Sequence, residues 1–249
     1  MRCLPSAGSF NLAPVKDAMN RPHMLILAAS LALANVSYAA PAAPATAVLE
    51  ASNPFAKLST LPFHYPAFDK IKDEHFLPAY AAGMREHLRE IDAIANNRKA
   101  PTFENTIIAM ERSGQLLTRV ATTFANLQGA NTNDKLDAID REMSPKMAAH
   151  FDAVFLNEKL YQRVKTLNDK RAKLGLDKES AHLLERYNKD FVRAGARLSA
   201  ADKEKLKSLN GQIAVLQTNF TQNVLKETNA SALVVDTRAE LAGMSDAAI

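Results

Sequence analysis

The chain has 249 residues, of which 47% are hydrophobic and 23% are charged, so it can bury one large core or two modest ones. Its 31 Lys and Arg residues are interspersed with 27 Asp and Glu residues, which leaves no concentrated basic patch and argues against a nucleic-acid partner. The single cysteine, Cys3, excludes a disulfide-bonded scaffold.

The first 39 residues have the features of a signal peptide with an N-terminal extension. Arg21 and His23 precede a short apolar run over residues 24–36, and Ser37 and Ala39 are small residues of the kind that signal peptidase accepts. The run is shorter than the roughly 20 residues of a transmembrane helix. We therefore predict cleavage after Ala39 and an exported, periplasmic protein without a stable membrane anchor. A cytoplasmic protein is the alternative, because only this leader argues for export.

Two segments lie between the leader and the first helix. Residues 40–52, rich in Pro and Ala, are predicted to form a flexible tether, and an N-terminal helical domain is predicted over residues 53–229. Its first part, residues 53–70, has three prolines and several aromatic residues but no sustained period. Two interpretations remain open: an irregular lead-in to the first helix, or an extended arm that lays aromatic rings onto a surface. The rings concerned are those of Phe55, Phe63, Tyr65 and Phe68.

Apolar residues then recur at spacings of three and four, which predicts a series of helices. The first ends near Asn97 and tolerates Pro78 because that residue lies in its first turn. The second is predicted to be one long helix that Thr102 caps and that reaches about Gln128. Its apolar stripe consists of Phe103, Ile107, Met110, Leu117 and Val120.

Four more helices are expected before residue 230, and the last of them has the strongest pattern. Asp134 is predicted to cap the third helix of the chain, which Pro145 kinks or restarts. Asn157 is predicted to cap the fourth, which ends near Gly175, and the fifth spans residues 179–195.

The sixth helix begins with Ser199 and Asp202 at the spacing of a capping box. Its apolar stripe continues for about seven turns and consists of Leu206, Leu209, Ile213, Leu216, Phe220 and Leu225. The sequence therefore predicts an all-α fold, an antiparallel bundle of long helices with one short strand near the C-terminus.

Residues 230–249 are predicted to begin a following region. The run ALVV at residues 232–235 is β-branched and short, which predicts a strand without a partner in this chain, and Asp236 or Thr237 is predicted to cap a helical turn after it. Because an unpaired strand and a one-turn helix leave backbone groups unsatisfied, we expect this chain to be the front part of a longer protein.

An ordered series of motifs resembles the N-terminal region of the thimet oligopeptidase family of zinc metallopeptidases, in particular its bacterial peptidyl-dipeptidase branch. The motifs are NPF at 53–55, FDKIKDEHFLPAY at 68–80, IANN at 94–97, PTFENTI at 101–107, SGQLLTRV at 113–120, ANTND at 130–134, LNEKLYQRV at 156–164 and FVRAGARLS at 191–199. Together they maintain the register over about 197 residues from Asn53 to Ile249.

The resemblance implies a mostly helical peptidase whose N-terminal helices form a wall or lid over a channel. In this family a His-Glu-x-x-His helix and a further Glu hold zinc and polarise its water. None of the six histidines of this chain lies four residues from another. We therefore predict no catalytic, cofactor-binding or metal-binding residue in this chain. Zinc is expected only in the complete enzyme, and short peptides and the missing C-terminal catalytic half are its expected partners.

The histidines nearest to carboxylates are weak candidates for a metal site. His87 lies near Glu86 and Glu90 on one helix, but one turn supplies too few ligands for zinc, and a solvated, salt-linked face is the simpler interpretation. His182, flanked by glutamates, receives the same interpretation, and His150 is expected to be a partly buried, hydrogen-bonded histidine.

Two apolar stripes, on the second and sixth helices, are the remaining candidates for an interaction surface. Packing against the missing half explains both stripes, and it would leave this chain, when alone, with a large exposed apolar patch. The sequence thus predicts the channel-wall part of an exported peptidyl-dipeptidase that is inactive by itself. A non-enzymatic secreted helical interaction module and a peptide-binding chaperone are the alternatives.

Overall fold

The computed structural model describes residues 49–249, and every regular element in this part of the chain is helical. The seven α-helices are α1 (Phe76–Ala95), α2 (Ala109–Arg112), α3 (Gln115–Asn131), α4 (Asp134–Phe155), α5 (Glu158–Asp169), α6 (Lys178–Arg193) and α7 (Ala200–Ala230). A π-helical turn, Phe103–Ile108, precedes α2, and short 3₁₀ turns are found at Pro62–His64, Asp73–His75, Arg171–Lys173 and Arg238–Leu241. The predicted signal peptide over residues 1–39 and most of the tether lie outside the described residues.

Helix α1 lies between two apolar clusters and contributes one end to each. The first cluster joins the C-terminal end of α1 to α5 and α6 around the fully buried Leu160, Val164, Leu184 and Phe191. The second joins the N-terminal end of α1 to α3 and α4 around Phe76, Val120, Phe124 and Leu136. The all-α prediction is therefore confirmed for this part of the chain.

Side-chain caps fix where most of the helices begin. The side chains of Asn157 and Ser199 accept hydrogen bonds from the first turns of α5 and α7, as predicted, and Asp177 caps α6 in the same way. Asn133, one residue before the predicted Asp134, caps α4. An Asn or Asp side chain here can satisfy two of the backbone N–H groups that every helix start leaves unpaired.

The predicted long second helix is wrong, because the chain breaks at Ser113 and Gly114. Gly114 has φ +69, a left-handed conformation that favours glycine, and a Cβ placed on it would press on the ring of His87 at 3.0 Å. The break separates α2 from α3, yet Met110, Leu117 and Val120 on either side remain buried. The apolar stripe therefore continues across two helices that periodicity alone cannot tell apart.

Pro145 does not restart the third predicted helix. Helix α4 is continuous from Asp134 to Phe155 with the proline inside it. Met143 and Met147, on either side of the proline, contact the same apolar cluster. Packing thus maintains the helix across the hydrogen bond that proline cannot donate.

The predicted strand at residues 232–235 does not form within residues 49–249. A strand needs a neighbour to accept and donate its backbone hydrogen bonds, and these four residues are exposed with no strand beside them. Thr237 precedes the 3₁₀ turn Arg238–Leu241, so the predicted helical turn is present in a tighter form.

The aromatic arm before α1 is only partly laid on the bundle. Phe55 is buried with its ring 5.4 Å from that of Phe76, whereas Phe63 is fully exposed and Tyr65 mostly exposed. The ring of Tyr65 lies 5.9 Å from that of Phe68, between ring centres. The arm interpretation is therefore correct for Phe55 and wrong for Phe63.

Candidate functional site

The motif PTFENTI forms a hydrogen-bonded corner between α1 and the π-helical turn. Thr102 and Asn105 form a capping box, in which each side-chain oxygen accepts the other's backbone N–H at 3.0 and 2.9 Å. Asn105 also donates to the carbonyl of Ala100 at 2.9 Å. The hydrogen bonds of the PTFENTI motif thus stabilise the local backbone.

Arg163 of α5 forms hydrogen bonds with this corner. Arg163 is only 6% exposed, and its guanidinium donates to the carbonyls of Asn97 and Lys99 at 2.8 and 3.1 Å and to the side-chain oxygen of Asn105 at 2.7 Å. A buried cation of this kind is tolerated where its fork meets several acceptors. Arg163 therefore links the loop after α1 to α5, a role that no sequence pattern indicates beyond its place in LNEKLYQRV.

A histidine pair joins α1 to α4. His87 Nδ1 and His150 Nε2 share a hydrogen bond of 2.9 Å, and the other ring nitrogen of His150 is buried with no partner among the described residues. Burial, reinforced by the nearby His87, lowers the pKa of His150 to about 4, and burial also lowers the pKa of His87 although Glu90 opposes it. Both rings are therefore neutral near pH 7.

The predicted roles of these histidines are partly confirmed. His150 is buried and hydrogen-bonded, as expected. The solvated face expected for His87 is wrong, because its ring is half-buried against His150 and its neighbour Glu90 accepts a hydrogen bond from the Gly114 N–H at 2.7 Å. His182 is exposed, in agreement with the prediction for it.

These residues do not fit a catalytic zinc. Two nitrogens that ligate one zinc at about 2.0–2.1 Å each point at the metal, whereas those of His87 and His150 point at each other. Within residues 49–249 no three His, Cys, Asp or Glu side chains converge as metal ligands would. No chemical step through zinc can be derived from this part of the chain.

Helix α7 contacts α4 through polar groups. Asn210 donates to the Asp152 carboxylate at 2.7 Å, and the Ser144 hydroxyl donates to the carbonyl of Ala214 at 3.0 Å. Gln222, buried at the far end, donates to the carbonyl of Asp137 at 3.0 Å and accepts from Arg141. These pairs run in opposite directions along the two helices, so α4 and α7 are antiparallel along a polar seam.

The opposite side of α7 is apolar and exposed, and we call it the α7 outer face. It consists of Leu209, Ile213, Leu216, Phe220 and Val224. At about 100° per residue these positions fall within roughly one quarter of the helix circumference, while the buried Thr218 and Gln222 lie on the other side. Leu216 and Phe220 are 66% and 70% exposed, values typical of an interaction surface rather than a core.

The predicted exposed apolar patch is therefore present on the sixth predicted helix and absent from the second. The stripe of the predicted second helix is buried or half-buried inside the described bundle, whereas Leu209, Ile213, Leu216 and Phe220 of the predicted sixth-helix stripe lie exposed on the α7 outer face. The sequence held a second signal for this surface that was missed: residues 208–225 contain no charged side chain.

A groove of about 670 Å³ lies between α5 and the start of α7. Arg197 and Lys203 line it together with Glu204, and the Arg197 guanidinium donates to the hydroxyl of Tyr161 at 2.7 Å. Sequence patterns did not indicate this groove, because its residues come from the turn between helices and from the polar side of α5.

No helix among residues 49–249 combines the length and apolar content needed to cross a bilayer.

Sequence comparisons relate the chain to bacterial peptidases. It is 45% identical over 194 residues to the dipeptidyl carboxypeptidase of Escherichia coli, a match that covers 78% of this chain and 28% of the relative. The Salmonella typhimurium enzyme of the same name is 42% identical over the same shares. Oligopeptidase A of Escherichia coli is 22% identical over 188 residues, or 76% of this chain and 28% of the relative. No family model matches the chain.

The chain thus spans 28% of the length of these relatives. Its identity with the dipeptidyl carboxypeptidases is about twice its identity with oligopeptidase A. The chain belongs, as an N-terminal portion, to the thimet oligopeptidase family of peptidases.

Proposed function

We propose that this chain is the channel-wall or lid portion of an exported zinc metallopeptidase that releases dipeptides from the C-termini of short peptides. The observation that carries the proposal is the 45% identity to a dipeptidyl carboxypeptidase over 194 residues. The weaker likeness to oligopeptidase A supports dipeptide release over internal cleavage. Export rests on the apolar run and small residues before Ala40.

In this proposal the zinc ligands and the catalytic base belong to the portion of the peptidase that this chain does not span. Supporting it, the histidines lack the His-Glu-x-x-His spacing, and the one close pair is engaged in its own hydrogen bond. The residues of this chain would then contribute shape: the corner held by Arg163 and the bundle around α1 supply a rigid wall.

An assay of the purified chain tests the inactive-alone part of the proposal. The chain is incubated with zinc and a short unfolded peptide, and released dipeptides are measured by mass spectrometry, with the Escherichia coli dipeptidyl carboxypeptidase as positive control. We expect no release above the buffer blank. Release that a chelator abolishes would contradict the proposal.

Export is tested separately by the N-terminus of the mature protein. After expression in a Gram-negative host, the periplasmic fraction is analysed by mass spectrometry for a chain that starts at Ala40. A chain found only in the cytoplasm with its leader intact would overturn export and leave the peptidase assignment unaffected.

The α7 outer face favours a second candidate function, a helical interaction module without turnover. Such a module binds a partner through this face and has no need of a catalytic half. Affinity for peptides or proteins with no reconstitution of peptidase activity, when the rest of the enzyme is supplied, would favour it.

A further inference from the structure

The residues of the α7 outer face are spaced as in a helix that pairs with another helix. Leu209, Ile213, Leu216 and Phe220 follow one another at intervals of four, three and four residues, the alternation of a and d positions in a heptad repeat. Each of them is exposed. A surface of this kind is complementary to another helix that lies along it, because ridges of side chains then interlock.

The charge distribution excludes a lipid surface and favours a protein partner. Lys207 and Lys226 bracket 18 residues with no charge, although α7 is exposed along this length. Membrane-surface helices carry Lys and Arg on their polar side, whereas the other side of α7 is engaged with α4 through Asn210 and Gln222. Depletion of charge is typical of the core of a protein–protein interface.

The extent of the apolar exposure distinguishes between the protein partners. Leu233 and Val234 beyond α7 are 89% and 74% exposed, so the uncovered surface continues from the helix into the segment after it. A single helix from a second copy would cover the α7 outer face but would not reach Leu233 and Val234. The unmatched portion of the relatives is about twice the length of this chain, since the chain spans 28% of them.

We propose that the α7 outer face is the docking surface for an uncharged, apolar face of a helix in the C-terminal portion of the peptidase. The proposal rests on the proposed function in that its occupant is that portion. The polar seam then has a role of its own: it fixes the rotation of α7 about its axis, so that the apolar stripe points away from α4.

Cysteine accessibility tests the docking directly. In a Cys3→Ser background, Leu216→Cys reports on the outer face, and Thr221→Cys is the matched control, exposed on the same helix but about 100° away from the stripe. Alkylation by N-ethylmaleimide is measured in this chain alone. It is measured again when the chain is joined, as one polypeptide, to the remaining portion of Escherichia coli dipeptidyl carboxypeptidase.

We expect both thiols to react at comparable rates in the chain alone. In the fusion, Leu216→Cys should slow by more than about tenfold while Thr221→Cys changes little, since a thiol under a docked helix reacts only through local opening. A Leu216→Cys thiol that stays as reactive in the fusion as in the chain alone overturns the proposal. Protection in the chain alone that grows with its concentration, with dimers in sedimentation, overturns the occupant in favour of a second copy.

Peptidase activity of the fusion separates this proposal from the proposed function. An active fusion with a reactive Leu216→Cys thiol contradicts only the docking, whereas an inactive fusion with a protected thiol contradicts only the function. If the fusion does not fold, the two portions are co-expressed and co-purified. Phe220→Glu should then abolish co-purification and Thr221→Glu should retain it, and equal recovery of both variants overturns the docking.

Discussion

Helices α1 and α3 meet through apolar side chains and close backbones, whereas α4 and α7 meet through polar groups. At the first contact Gly83 brings the two helices so near that a Cβ on it would lie 2.8 Å from the backbone of Leu117. At the second, Asn210 and Gln222 carry the contact and the apolar residues of α7 face outward. The long helix α7 therefore presents its apolar stripe to solvent, whereas the shorter helix α3 packs its apolar residues into the core.

A large loss of stability is expected at Arg163, which links the corner after α1 to the first apolar cluster. Arg163→Ala removes three hydrogen bonds and leaves the carbonyls of Asn97 and Lys99 without that donor. We expect a decrease of about 3–4 kcal/mol in the free energy of unfolding, because three hydrogen bonds to a charged group and the packing of the buried side chain are lost together. Urea denaturation of the purified chain measures it.

Arg186→Ala is the matched control, because Arg186 forms only an exposed pair with Asp190. Its removal should cost less than about 1 kcal/mol. Equal effects of the two substitutions would show that the corner contributes nothing special to the bundle.

Low pH should weaken the contact between α1 and α4 that the His87–His150 pair forms. The pKa of His150 is lowered from 6.5 to about 4 in the folded chain, so the unfolded chain binds the proton more readily between these values. The stability that the neutral pair provides is complete above pH 6.5 and is lost as pH falls toward 4, by about 3 kcal/mol at 1.36 kcal/mol per unit.

Thermal unfolding between pH 4 and 7 measures this dependence. His150→Gln should flatten the profile, whereas His182→Gln, at an exposed histidine, should leave it steep. An unchanged profile for His150→Gln would assign the acid sensitivity to other groups.

The close approach of α1 and α3 predicts opposite effects for two glycine substitutions in helices. Gly83→Ala should destabilise the chain by about 2 kcal/mol, because the added methyl meets backbone that cannot yield cheaply. Gly129→Ala, with no atom within 4 Å of the new methyl, should stabilise it by about 0.5–1 kcal/mol through helix propensity. Losses of equal size would contradict the tight contact.

A smaller effect is expected at the polar seam. Asn210→Ala leaves the buried Asp152 carboxylate without its donor and should cost about 1–2 kcal/mol. Asn219→Ala, at an exposed position of the same helix, should change the free energy of unfolding by less than about 0.5 kcal/mol. If the two variants denature alike, the seam does not orient α7.

Periodicity and capping residues predicted most helices because both act locally. Asn157 and Ser199 were identified as caps from their place before an apolar period, and the structure confirms them. The break at Gly114 was missed because the apolar stripe continues through it, whereas the glycine is favoured by its left-handed backbone and by the nearby ring of His87, which the sequence does not reveal.

The outward orientation of α7 was beyond the reach of periodicity for a different reason. A stripe shows which residues share a face, but it does not show what lies against that face. Thr218 and Gln222 are buried because α4 offers them polar partners, and those partners are brought there by the tertiary fold. The same limit explains why Arg163 and the His87–His150 pair, 63 residues apart in sequence, were not predicted as contacts.

A pair of alanine substitutions in the purified chain tests the central contrast most directly. Leu117, 4% exposed in the α1–α3 contact, and Leu216, 66% exposed on the α7 outer face, are each replaced and the free energies of unfolding compared. We expect Leu117→Ala to lose about 2–5 kcal/mol and Leu216→Ala to change it by less than about 0.5 kcal/mol. A loss at Leu216 as large as that at Leu117 would contradict the account.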